Sequence, residues 1–299
     1  MAEGQAGVVR AGAKLLWRRQ RILWWVYAIN LALAFMGTLP VARSLSKVLD
    51  RSLAAERLYK GFDVTLFAEL ISPPRLPLRP LAAGSFFLAV LFFLVMLFLT
   101  GGILEVYRLD RTLTSGEFFQ ACGTMFWRFL RLVLMMLIPL APIVILFSGV
   151  WRWSGKLASD ASREMLGFWV QVGGTIVALF LLLAVRLWFD IAQVWAVAES
   201  ESRMRRVLVR ASGLTFGNFA TLFWVYLRIL LVAAVGMAVA LGVWVKFVRP
   251  EWVGVSFLLG QAVLLLWLTA RLWLRASETA WFQRYGPAYS ADYLDRLVA

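Results

Sequence analysis

Six apolar stretches, each close to twenty residues long, decide what this chain can become: 22–40, 82–104, 132–150, 167–189, 229–247 and 252–274. A helix rising about 1.5 Å per residue needs roughly 20 such residues to cross about 30 Å of hydrocarbon. Six of them in 299 residues leave little sequence for anything else. The composition agrees. The chain is 62% hydrophobic and 16% charged, where a soluble domain is nearer half apolar and a quarter charged. The expected class is an all-α polytopic membrane protein with six transmembrane helices. Pro139, Pro142, Gly173, Gly174, Gly236 and Gly242 lie inside these stretches, and spanning helices tolerate both residue types. The two prolines are expected to kink the third helix.

The first stretch follows Arg18, Arg19 and Arg21, as a signal peptide would follow basic residues. It is too long for one, and no small-residue cleavage site follows "GTLPVARS", so it is expected to stay as the first helix. The chain then divides into a cytoplasmic amphipathic segment (1–21), the six-helix domain (22–275) and a cytoplasmic tail (276–299). The outer loop 41–80 carries Leu45, Val48, Leu49, Leu53 and Leu58 at helical spacing, then "SPPRLPLRP". That pattern predicts an amphipathic helix and a stiff return. Its plain reading is a cap on the bundle, and its functional one is contact with an envelope protein partner.

Lysine and arginine at helix ends set orientation. The side holding both termini collects nineteen of the 31, and the other side twelve. Both termini are therefore expected in the cytoplasm. A net charge of +14 suits anionic head groups, and no nucleic-acid-binding module interrupts the apolar runs.

A repeat organises the helices. "RLDRTLTSGEFFQACGTMFWRFLRL" (108–132) aligns without a gap to "RRVLVRASGLTFGNFATLFWVYLRI" (205–229), with nine of 25 positions identical. Both copies place Phe-Trp and then Leu-Arg at the mouth of an apolar run. Trp17 and Arg21 in "LWRRQRI" echo them before the first helix. Tryptophan belongs at the head-group level, and arginine there reaches phosphate while its stem stays apolar. The expected element is an elbow: an interfacial helix, started near Ser115-Gly116 or Ser212-Gly213, leading into a spanning helix. With "RLWF" at Arg186 and "RLWL" at Arg271 closing even-numbered helices, the plan becomes three interfacial-helix-plus-hairpin repeats.

The "FWxxLR" entrances, the exit "RLWFDIAQVWAVAES" and the basic "RMRRVLVRASGL" after it are similar to uncharacterised bacterial six-helix integral membrane families. These resemble the membrane domain attached to some glycerophosphodiester phosphodiesterases. The resemblance covers residues 7–285 and implies a multi-pass protein of the bacterial inner (cytoplasmic) membrane. The catalytic barrel of those enzymes is not expected here, since the chain has no histidine.

Without histidine there is no Ser-His or Cys-His pair, no HExxH and no histidine-held metal. One cysteine, Cys122, allows no intrachain disulfide and reads as an apolar filler. No nucleotide-binding glycine motif occurs. No enzymatic activity and no cofactor are expected. Arg186 and Asp190 stand four apart and share a helix face; the plainer reading is a structural pair. Glu105, Arg186 and Arg271 each end an even-numbered helix and, with Asp190, are candidate axial charges. Asn30, Gln171 and Gln261 are expected to bond between helices as packing contacts.

The residues that best match a function are interfacial: Arg21, Trp127, Arg131, Trp224 and Arg228, with the basic segment Arg203, Arg205, Arg206 and Arg210. They point to a non-enzymatic protein interacting with lipid or amphiphile, its partners anionic membrane lipids. The alternative is a channel or facilitative transporter with its path along a pseudo-threefold axis.

Overall fold

The computed structural model describes residues 2–49, 78–159, 164–201, 203–249 and 252–286. Among these the chain is all-helical: α1 (Ala2–Arg18), α2 (Gln20–Leu49), α3 (Leu78–Leu109), α4 (Ser115–Ala158), α5 (Glu164–Ala198), α6 (Met204–Gly217), α7 (Phe219–Phe247) and α8 (Val253–Tyr285). Six of them, α2–α5, α7 and α8, are long and apolar enough to cross a membrane. Their apolar side chains point outward: Ile138 is 74% and Val245 85% exposed. Surfaces of this kind are stable against lipid and costly against water.

The helices outrun the apolar stretches that announce them. α2 continues through Pro40 to Leu49, and α4 keeps its helical run through Pro139 and Pro142. Residues 50–77, most of the expected outer loop, lie outside the described residues. The largest difference is at the C-terminus. Residues 276–285, assigned to the tail by hydropathy, extend α8, and Ala276, Ser277, Glu278, Thr279, Trp281 and Phe282 are all buried. A hydropathy window ends where charges begin; a helix continues as long as its polar groups find partners and its apolar groups a core.

Contacts divide the chain into two compact units. One takes in α1, α3 from Leu97, all of α4, α5 and α6, α7 to Leu230 and α8 from Trp273. Its core joins Val8, Leu104, Phe129, Leu132, Leu187, Ile191, Val207, Ile229, Trp281 and Phe282. Indole donors cross-tie it: Trp188 donates Nε1–H to the Leu208 carbonyl at 2.9 Å, and Trp273 to that of Val9 at 2.9 Å. Two close approaches depend on glycine. A Cβ on Gly102 would stand 2.6 Å from Cys122 Sγ, and one on Gly12 would stand 2.7 Å from the Ser277 backbone nitrogen. Cys122, fully buried, is thus a filler between α3 and α4.

The other unit takes in α2, α3 to Met96, α7 from Leu231 and α8 to Leu272. Tyr27 donates to Gln261 Oε1 at 3.0 Å, a bond between helices as expected of this amide. Asn30 donates both to the Val26 carbonyl of its own helix at 2.7 Å and, more weakly, to Met96 Sδ of α3 at 3.9 Å, so it too bonds between helices.

The two copies of the aligned motif fold differently. Thr114 caps α4 and, with Glu117, closes a capping box, which satisfies two backbone donors at once. From there α4 runs 44 residues without an elbow. In the second copy Ser212-Gly213 falls inside α6, and the break comes at Asn218, between α6 and α7. The aligned residues explain this: Gly217-Asn218 stands where the first copy has Gln120-Ala121. Glycine and asparagine end helices, whereas glutamine and alanine continue them.

Candidate functional site

α6 is amphipathic by construction. Met204, Val207, Ala211 and Thr215 recur every three or four residues and are buried on the unit's core, as one face of a helix must be. Arg203, Arg205, Arg206 and Arg210 stand on the exposed side. The turn before α6 is tied down by α4. Ser200 takes a positive φ of 50°, uncommon for a residue with a side chain, and its carbonyl accepts from Arg128 Nη1 at 2.9 Å. This bond sets the start of α6 beside the α4 turn that carries Arg131.

The result is an open depression of about 500 Å³ lined by Arg131, Met135, Arg203, Met204, Arg205 and Arg206. Two groups that the sequence presents separately, the first "FWxxLR" arginine and the basic segment, share one wall here. Among the described residues no carboxylate pairs with any of the four arginines, whereas Arg18, Arg108, Arg111, Arg186, Arg210 and Arg275 of the same unit each meet one. Arg210, grouped by sequence with the basic segment, turns away to Glu199 at 3.4 Å and does not line the depression. The four guanidinium groups of the lining are exposed and form no ion pair among the described residues, although Glu201 Oε1 accepts from the Arg203 backbone N–H at 3.1 Å. The balance of charge along the wall stays positive and suits an anion.

A second charged locus is its opposite. Asp190 of α5 and Glu278 of α8 are 0% and 2% exposed. Arg275 Nη1 lies 2.8 Å from Asp190 Oδ1 and 3.6 Å from Glu278 Oε2, and Arg186 Nε donates to Asp190 Oδ2 at 3.2 Å. The Arg275–Asp190 contact is close, but its angle misses hydrogen-bond alignment, and neither Glu278 oxygen accepts a hydrogen bond among the described residues. Guanidinium groups and carboxylates face one another inside this locus, so its charge is answered from within. Sequence reasoning found the Arg186–Asp190 half and missed Arg275 and Glu278. The signal was present: Arg271, Arg275 and Glu278 stand at i, i+4 and i+7, a single helix face.

No protein-family model matches this chain, and neither a curated protein nor a solved structure matches it. Its function has to be argued from these residues.

The remaining candidates are dispersed. Trp127 and Trp224 are 64% and 50% exposed, as head-group residues should be. Arg21 is exposed on α2 and Arg228 half-buried on α7. Glu105 is held by Arg108 of its own helix, Nε to Oε2 at 2.8 Å with a second contact through Nη2. Arg186 and Asp190 belong to the buried group, and Arg271 is half-buried on α8. Gln171, half-buried on α5, makes no hydrogen bond among the described residues.

Proposed function

We propose that this chain is a non-enzymatic, multi-pass protein of the bacterial inner membrane that binds anionic lipid at the cytoplasmic leaflet. The observation that carries the reading is the depression lined by Arg131, Arg203, Arg205 and Arg206. Each arginine held near an anionic surface contributes about 1 kcal/mol, so four in one place make a definite site rather than a diffuse attraction. The charge count that favours both termini in the cytoplasm favours the same leaflet for this depression. Trp127, exposed one turn from Arg131 on α4, suits the same depth.

The test is native mass spectrometry of the full chain released from nanodiscs containing phosphatidylglycerol and phosphatidylethanolamine. Retained phosphatidylglycerol that disappears when the four arginines are replaced by glutamine supports the reading. Equal retention by the original and the substituted protein refutes it. Solute flux through proteoliposomes, altered by Arg186→Ala or Glu105→Ala at unchanged stability, would support the transport alternative instead.

A further inference from the structure

Four guanidinium groups around one depression are more than a single phosphate can use. A phosphodiester carries one negative charge and two free oxygens, enough for about one bidentate arginine and one further contact. Its arrival would leave at least two cations crowded and unmatched. The start of α6 adds donors. The Arg203 side chain makes no cap bond, and its carbonyl takes the N–H of Arg206 at 2.9 Å and of Val207 at 3.3 Å. Glu201 Oε1 takes the Arg203 N–H at 3.1 Å, and among the described residues the N–H groups of Met204 and Arg205 have no acceptor at the positive end of this 14-residue helix. The apolar part of the lining is equally specific. Met204 is buried and Met135 half-buried, and Met135 lies one turn beyond Arg131, toward the apolar run of α4. Methionine adapts to irregular apolar partners. A volume of about 500 Å³ is within the range of small-molecule sites.

From the excess of cations, the free helix donors and the methionine floor, we infer that the depression selects an amphiphile carrying two phosphate groups, a bis-phosphate or diphosphate lipid. The head group bridges Arg131 of α4 to the three arginines of α6, and the first carbons of an acyl chain lie along Met135. This rests on the lipid-binding reading and narrows it from anionic lipid in general to lipid with two phosphates.

The experiment is competitive retention. The full-length protein is reconstituted in nanodiscs with cardiolipin, which has two phosphates, and phosphatidylglycerol, which has one, at equal phosphate content. Native mass spectrometry then counts what is carried out with the protein. The expected result is about a tenfold preference for cardiolipin, the equivalent of one additional charge-assisted contact. The preference should vanish in R131Q/R203Q/R205Q/R206Q. It should also collapse in the four-lysine counterpart, which keeps the charge and loses the bidentate fork. The lysine protein guards against misfolding of the neutral one. Equal, arginine-dependent retention of both lipids overturns the two-phosphate inference and leaves lipid binding standing. Arginine-independent retention overturns both. A third arm adds inorganic pyrophosphate to protein in detergent. Arginine-dependent binding of pyrophosphate, with no preference for cardiolipin, would make the occupant a free diphosphate and overturn the lipid assignment.

Discussion

Arginine serves two opposed purposes within one unit of this protein. Arg275 is buried and lies between the Asp190 and Glu278 carboxyl groups, and Arg186 completes this group between α5 and α8. Arg131, Arg203, Arg205 and Arg206 are exposed, line one depression and form no ion pair with a carboxylate among the described residues. The difference separates a charge that the fold needs from a charge that the fold leaves available. A buried charge without its partner is strongly destabilising, because desolvation is no longer offset. An exposed arginine has already been solvated, so removing it hardly disturbs the fold.

The contrast can be broken most directly at Arg275. Arg275→Ala takes from the fully buried Asp190 its nearest cation, at 2.8 Å, and should lower stability by about 3–5 kcal/mol. Equilibrium unfolding in mixed micelles, followed by tryptophan fluorescence, would read it. A loss under about 1 kcal/mol would mean that the charge of this group is not answered from within. The double change Arg275→Met with Glu278→Leu sharpens the point, since it replaces both facing polar groups by apolar ones and keeps Arg186 with Asp190. It should cost clearly less than Arg275→Ala alone, because matched apolar replacement of a buried pair is close to neutral. A sum of independent losses would contradict pairing.

Smaller effects follow. Gly12→Val forces a Cβ into the Ser277 backbone and should cost about 1–3 kcal/mol as overpacking; an unshifted melting temperature would show that α1 yields freely from α8. Arg186→Gln should cost less than about 1.5 kcal/mol, because its side chain is 44% exposed and Asp190 keeps Arg275. At the other end, each of Arg203→Gln, Arg205→Gln and Arg206→Gln should change stability by under about 0.5 kcal/mol while lowering anionic-lipid retention. If these substitutions destabilised the protein as much as Arg275→Ala, the proposed division between structural and available arginines would fail.

The aligned motif teaches how far a pattern can be trusted. Nine identities in 25 residues promised one shared elbow. Six residues decide otherwise: the Thr114/Glu117 capping box and Gln120-Ala121 hold the first copy in one helix, and Gly217-Asn218 breaks the second. Identity at the aromatic and arginine positions preserves what faces the membrane, because depth depends on side chains. Local helix continuity depends on other positions, and those differ. The Arg186–Asp190 pair was legible for a similar reason, since four residues apart on a helix is a local relation. Arg275 and Glu278 carry the same kind of local spacing but follow the last apolar run, where a reading led by hydropathy stops; that they meet Asp190 is not a local relation at all.

By itself the sequence determined the medium and the class: six apolar runs can be satisfied only by helices in lipid, where every backbone bond must close within its own segment. It also determined which faces are wet, through the spacing of Met204, Val207, Ala211 and Thr215 against the arginines of α6. Only the tertiary structure decided which distant charges meet. Arg131 is 72 residues from Arg203, and Asp190 is 85 from Arg275; no local rule relates them. Their meeting depends on how α4, α5, α6 and α8 pack, and packing is set by the shapes of whole helix faces and by close approaches such as Gly102 on Cys122. Whether a given arginine is neutralised in the core or left free for an anion is therefore a property of the assembled helices.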